Sequence, residues 1–164
     1  MGDKESKDQV ETALYLASLP FIDKERIAIW GWSFGGFNTI MSMCEGRPVF
    51  CCGVAVAPVT DWRYYDSAYT ERYMRTPQEN PQGYDISPLH RCQKLSGHLL
   101  ICHGLADDNV HYQNTAELSE KLVQQGTQFE MQVYTNRNHG IYGGNTRLHL
   151  FTRIENFFDK YLLK

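Results

Sequence analysis

Arg26-Ile27-Ala28-Ile29-Trp30-Gly31-Trp32-Ser33-Phe34-Gly35-Gly36-Phe37 is the stretch on which the fold turns. Its first five residues form a short apolar run without polar alternation, the pattern of a parallel strand covered on both faces. Glycines close the strand, and a helix follows at once, from Phe37 to about Cys44. The pentapeptide Gly31-Trp32-Ser33-Phe34-Gly35, set between strand and helix, reads as a nucleophile elbow. Its glycines permit a turn so tight that Ser33 is held strained with its Oγ exposed. The same turn aims the Phe34 N–H at a developing oxyanion, with help from the helix N-terminus. The plainer reading is a glycine-rich connection with no chemistry, so the rest of the chain has to decide.

Outward from the elbow, the chain alternates strand and helix. Asp8 to Leu19 predicts a helix with Val10, Leu14 and Ala17 on one stripe. The run from Cys51 to Ala57 predicts a strand stopped by Pro58, and an irregular aromatic segment extends from Val59 to about Leu95. Then follow a strand from Leu99 to Cys102, a helix from about Gln113 to Gln125 ended by Gly126, and a strand from Phe129 to Tyr134. A last helix, about Thr146 to Leu163, carries Leu150, Ile154, Phe157, Phe158 and Tyr161 on one broad face. The alternation predicts an α/β domain with a mainly parallel sheet flanked by helices. In such sheets, functional residues collect at the carboxyl ends of strands.

The bulk numbers narrow the function. At 164 residues the chain suits one domain with its own core. Lys and Arg total 16 against 19 acidic residues, a net charge of −3 with no basic block. Nucleic acid and anionic membranes are therefore not the expected partners. No apolar run approaches the length of a membrane span, and the N-terminus is too polar for a signal peptide. Met1-Gly2-Asp3-Lys4 reads as a trimmed or artificial start, so the missing targeting signal says little about a parent protein. The five cysteines are Cys44, Cys51, Cys52, Cys92 and Cys102. None has paired zinc spacing, and all are expected to pack rather than react, with Cys51 and Cys52 on opposite strand faces.

A serine nucleophile needs a base, and the base needs an orienting carboxylate. His103-Gly104-Leu105-Ala106-Asp107-Asp108 follows the strand at Leu99, and Asn138-His139-Gly140 follows the next strand. Ser33, then Asp107 or Asp108, then His139 is the chain order of α/β-hydrolases. Spacing does not choose between the two aspartates. Each member also has a bland reading: either aspartate could cap the next helix, and His139 could be a turn residue. His90, His98, His103, His111 and His149 are expected to be structural or solvent-facing, since no pair has helical metal-ligand spacing. No metal and no cofactor are implied. A second feature is Trp62-Arg63-Tyr64-Tyr65-Asp66-Ser67-Ala68-Tyr69-Thr70-Glu71-Arg72-Tyr73. Tyr65, Tyr69 and Tyr73 would share one helical face just beyond Ala57-Pro58-Val59. An aromatic slot beside a nucleophile suits a flat apolar ring such as proline.

With these residues in view, the chain resembles the dipeptidyl peptidase IV branch of the prolyl oligopeptidases. Four linked motifs carry the resemblance: Gly31 to Gly36; Ala57-Pro58-Val59 with Trp62 and Tyr65 to Tyr73; His103 to His111; and Asn138-His139-Gly140. It implies release of N-terminal dipeptides, preferably with Pro or Ala second. It also implies Ser33 as nucleophile, Asp107 rather than Asp108 as orienting acid, and His139 as base. Phe34, Val59, Trp62, Tyr65, Tyr69 and Val110 would surround the proline pocket, and Asn109 would hold the substrate's main-chain carbonyl. Phe34 stands where the family often has Tyr. The resemblance further implies that residues 1–164 are the C-terminal portion of a catalytic domain with a partial α/β-hydrolase fold. The β-propeller, the amine-binding glutamates, the first strands and an upstream oxyanion tyrosine are absent from this sequence. Relatives are mostly periplasmic, secreted or membrane-anchored.

One consequence is physical. Without an upstream strand, Arg26 to Trp30 would be an apolar edge inviting another copy, so a homo-oligomer is expected. Two other readings use the same residues: an acyl-peptide hydrolase or esterase with the same triad, or an inert, self-associating fragment.

Overall fold

Cys52–Val56 shows why the strands lack alternation: all five of its residues are buried. The structure, a computed structural model, describes residues 1–163. The strands are β1 (Ala28–Trp32), β2 (Cys52–Val56), β3 (His98–Gly104) and β4 (Glu130–Tyr134). They form one sheet in the order β1-β2-β3-β4, every pair parallel. The longer helices are α1 (Asp3–Ala17), α2 (Phe34–Met43), α3 (Ser67–Met74), α6 (Gln113–Gln124) and α7 (Thr146–Leu162). Two short helices, α4 (Pro81–Tyr84) and α5 (Pro88–Arg91), lie between β2 and β3. No helix among the described residues is long and apolar enough to cross a membrane.

Helices cover both faces of the sheet. Leu99 and Ile101 of β3 pack on one side with Val10 of α1, Ile40 of α2, and Leu118 and Leu122 of α6. Leu100 and Cys102 turn to the other side, against Leu150, Ile154 and Phe157 of α7. Each such side chain contributes about 1.5–3 kcal/mol by leaving water. A third cluster sits beyond the carboxyl edge, joining Phe37, Val59, Trp62, Tyr84 and Val110. The register places the strand ends together, since Trp32 pairs with Val56, Val56 with Cys102, and Gly104 with Tyr134. Loops leaving all four strands therefore emerge along one rim.

Several expectations are corrected in detail. β1 starts at Ala28 rather than Arg26 and runs through Gly31 and Trp32, because pairing to β2 continues to Val56. α2 starts at Phe34, not Phe37, since the chain reverses at Ser33 and Phe37 N–H already donates to the Ser33 carbonyl at 3.0 Å. α1 begins at Asp3, where Glu5 accepts from the Gly2 N–H at 2.8 Å. Its buried stripe is Ser6, Val10 and Ala13, with Leu14 left exposed. The segment from Val59 to Leu95 is largely short helices rather than irregular chain. Tyr65 lies outside α3, whose N-cap is Asp66, so it does not share a helical face with Tyr69 and Tyr73. Cys51 precedes β2, and its sulfur lies 3.8 Å from that of Cys52, both against the same cluster rather than on opposite faces. All five cysteines are free thiols, four of them buried. β1 and β4 are the two sheet edges, and Trp30 of β1 is half exposed.

Candidate active site

Ser33 is the first residue past β1, and its backbone is bent out of ordinary territory at φ 60° and ψ −117°. Such a conformation in a non-glycine residue costs about 1–3 kcal/mol, so the surroundings must hold it. They do so from both sides: Ser33 N–H donates to the Val56 carbonyl at 2.8 Å, and its own carbonyl accepts from Phe37. Gly31 cannot be replaced without moving the turn, because a Cβ there would lie 2.2 Å from the Gly35 carbonyl. The Phe34 N–H belongs to the first turn of α2, where amides have no intrahelical acceptor.

Asp107 follows β3 in a tight turn and has a fully buried side chain. Oδ1 accepts the Asn109 and Val110 amide N–H groups, each at 3.0 Å. Oδ2 accepts from His139 Nδ1–H at 2.7 Å and from His103 Nε2–H at 3.2 Å. Burial pushes this carboxyl up, but the hydrogen bonds from His103, His139 and the Asn109 amide outweigh it. The group is held well below the ordinary carboxylate range and stays ionised. Asp108 faces solvent. Neither aspartate caps α6, whose N-cap is Tyr112.

His139 lies in the loop after β4, and several contacts fix that loop. Its carbonyl accepts from Trp32 Nε1–H at 3.0 Å, which ties the histidine's backbone to the residue before Ser33. Ala106 N–H donates to the Arg137 carbonyl at 3.0 Å, and Arg147 reaches the Gly140 carbonyl at 3.1 Å. Gly104 lets the loop pass, since a Cβ would stand 2.2 Å from the Arg137 oxygen. With Nδ1–H committed to Asp107, the neutral imidazole keeps its lone pair on Nε2. Ile141 and Ala57 also have positive φ, at 42° and 44°. Three of the four non-glycine residues with positive φ among the described residues thus sit at this rim.

The aromatic segment forms one connected wall. Ring centroids of Phe34 and Trp62 are 5.7 Å apart, Trp62 and Tyr69 6.1 Å, and Tyr65 and Tyr69 5.4 Å. Val59 and Val110 are buried in the same cluster. Tyr65 O–H donates to Asn109 Oδ1 at 2.9 Å. Burial, then Asp66, Tyr69 and Asp107, push the Tyr65 phenol upward, so it remains a donor at neutral pH. A cleft opens beside Tyr65 and Asn109, lined also by Asp66, Asp108 and His111. Every residue expected at the site lies on this rim or in the cluster beneath it. His103, expected to be structural or solvent-facing, is fully buried against Asp107, a contact that sequence reading did not foresee. Its position just before the glycine that ends β3, four residues ahead of Asp107, was the available signal.

The profile of the prolyl oligopeptidase family matches residues 1–164. The chain is 48% identical over 158 residues to a probable dipeptidyl-aminopeptidase B of Ajellomyces capsulatus, covering 94% of this chain and 17% of that protein. It is 46% identical over 161 residues to a probable dipeptidyl-aminopeptidase B of Sclerotinia sclerotiorum, covering 96% and 18%. The structure is similar to the crystal structure of Porphyromonas gingivalis dipeptidyl peptidase 4, with a TM-score of 0.97 and 53% identity. That match covers 99% of this chain and 23% of the other. A putative dipeptidyl aminopeptidase IV from Bacteroides ovatus matches with a TM-score of 0.93 and 40% identity, over 98% and 23%. The chain thus spans less than a quarter of the length of each relative.

Proposed function

This chain belongs to the prolyl oligopeptidase family, and from that premise we propose that it carries the serine-peptidase triad Ser33, Asp107 and His139 of a dipeptidyl peptidase. Its 164 residues are then the C-terminal portion of an α/β-hydrolase catalytic domain. The observation that carries the reading is the 2.7 Å Asp107–His139 hydrogen bond on a loop tied by Trp32 to the strained Ser33 turn.

In this reaction Ser33 Oγ attacks the carbonyl carbon after the substrate's second residue, while His139 Nε2 takes the hydroxyl proton. The resulting oxyanion is met by the Phe34 N–H. The tetrahedral species collapses as His139 returns the proton to the leaving amine, giving an acyl-enzyme and a shortened peptide. Water, deprotonated by the same Nε2, then attacks the ester, and Ser33 regains its proton as the dipeptide leaves. Asp107 stays ionised throughout and holds the imidazole in the useful tautomer. Phe34, Val59, Trp62, Tyr65, Tyr69 and Val110 form the pocket for Pro or Ala at the second position. Asn109, held by Tyr65, binds the main-chain carbonyl.

The resemblance assigns a second oxyanion donor to an upstream tyrosine that this sequence lacks. Loss of one such donor lowers turnover by on the order of 10²–10³, so this chain alone is a weak or inactive peptidase. A fluorophosphonate probe should label the protein, and Ser33→Ala should abolish that labelling. Any turnover should favour a Gly-Pro anilide over a simple ester. Equal labelling of Ser33→Ala sinks the triad, and faster ester turnover favours a general esterase. The parent protein acts on peptides in a periplasmic, secreted or membrane-anchored setting. In this chain alone, the open β1 edge around Arg26 to Trp30 pairs with a second copy. Light scattering at micromolar concentration should report a dimer or larger species; a strict monomer counts against it.

A further inference from the structure

One buried polar side chain takes no part in those steps. His103 is fully shielded from solvent between the 107–110 turn, Thr115 of α6 and the Tyr112 ring, which lies T-shaped to it. Its partners fix where its proton sits. The Val110 carbonyl, 2.8 Å from Nε2, can only accept, and the ionised Asp107 Oδ2 at 3.2 Å can only accept. Nε2 therefore carries hydrogen. In the neutral ring Nδ1 is then the acceptor, and Thr115 Oγ at 2.7 Å donates to it. Asp107 is consequently gripped at both oxygens, by two backbone amides on Oδ1 and by two imidazoles on Oδ2.

Resting on the triad reading above, we propose that His103 is a positioning residue for catalysis: its Nε2–H anchors the same Asp107 oxygen that holds His139. The geometry gives it two tasks. It stops the carboxylate from rotating about its Oδ1 anchors, which would swing Oδ2 away from the His139 Nδ1–H. It also ties the 107–110 turn to α6 through Thr115, so the orienting acid is referenced to the rigid core rather than to a loop. A packing role alone requires only the ring's volume; this role requires a donor at Nε2.

The test compares donor loss with donor replacement. His103→Phe combined with Thr115→Val removes the donor while keeping bulk and leaving no stranded hydroxyl. His103→Gln keeps an N–H at the end of the side chain. Should the phenyl ring prevent folding, His103→Met supplies the same donor-free comparison. Two readouts are followed in the 164-residue protein: the rate of fluorophosphonate labelling of Ser33, and the far-downfield proton resonance of the His139 Nδ1–H···Asp107 hydrogen bond. The donor-free variant should label about tenfold or more slowly, as expected for loss of a hydrogen bond to a charged group, with the bridging proton broadened or moved upfield. The glutamine variant should stay within about threefold of the parent and keep the resonance, since its amide can still donate. Parent-like labelling and an unmoved resonance in the donor-free variant would overturn the proposal, as would a glutamine variant no better than the donor-free one. A parent that does not label at all defeats the triad reading first, and this inference with it.

Discussion

Ser33→Gly is expected to erase labelling and turnover while leaving the protein more stable than its parent. The chemical half follows from losing the hydroxyl: removing the nucleophile of such a unit lowers turnover by on the order of 10⁶. The stability half comes from the backbone. Ser33 sits at φ 60° and ψ −117°, a conformation that costs a side chain about 1–3 kcal/mol. Glycine enters that region without the Cβ clash, at a backbone entropy cost of roughly 0.5–1 kcal/mol. The net gain is about 1 kcal/mol, which for a protein of this size raises the melting temperature by about 2–4 °C. Ser33→Ala keeps the Cβ and the strain, so it should lose labelling without that rise. Thermal melts of the three proteins separate the two effects. A glycine variant melting at or below the alanine variant would mean that the turn stores no strain.

The elbow was legible because two independent patterns meet there. An unbroken apolar run marks a strand with helices on both faces, as Leu99 and Leu100 on opposite sides of β3 illustrate. Glycines at a strand–helix junction mark a reversal, and at Gly31 the 2.2 Å approach of Gly35 is the physical demand behind the pattern. Helix α1 was read less well. The expected stripe of Val10, Leu14 and Ala17 shares only Val10 with the buried one, which is Ser6, Val10 and Ala13, because Leu14 turns out to solvent.

The aromatic spacing gave the correct neighbours for an incomplete reason. Asp66 accepts the Tyr69 N–H at 2.8 Å and starts α3 there, which leaves Tyr65 outside the helix. Its ring still meets that of Tyr69 edge-on, with centroids 5.4 Å apart. The choice between Asp107 and Asp108 was invisible to spacing, since it depends on which carboxylate the turn points inward. His103 was missed for a related reason. Its partners lie four, seven and twelve residues ahead, on a turn and a helix that meet only in the folded chain.

Asp107→Asn is expected to slow labelling of Ser33 by about 10⁴, the cost of a wrong histidine tautomer in such triads. Every neighbour of this carboxylate donates: His139 Nδ1–H and His103 Nε2–H at one oxygen, Asn109 and Val110 amides at the other. An asparagine must turn its NH₂ toward one of those pairs of donors. Facing Oδ1's partners it opposes two backbone N–H groups that cannot change. Facing Oδ2's partners it leaves His139 to flip its proton to Nε2, where it can no longer accept from Ser33. Asp108→Asn, on the exposed neighbour, should label at the parent rate. The same substitution changes acid resistance. Asp107 is depressed from an ordinary value of 3.8, so its stabilisation is fully present above that value and is lost as pH falls toward the lower folded value. The stability gap between parent and Asp107→Asn is therefore widest near neutral pH and narrows below about pH 4. Urea melts at about pH 7 and about pH 3 measure both gaps. An equal gap at the two pH values would mean that the buried carboxylate contributes nothing through its charge.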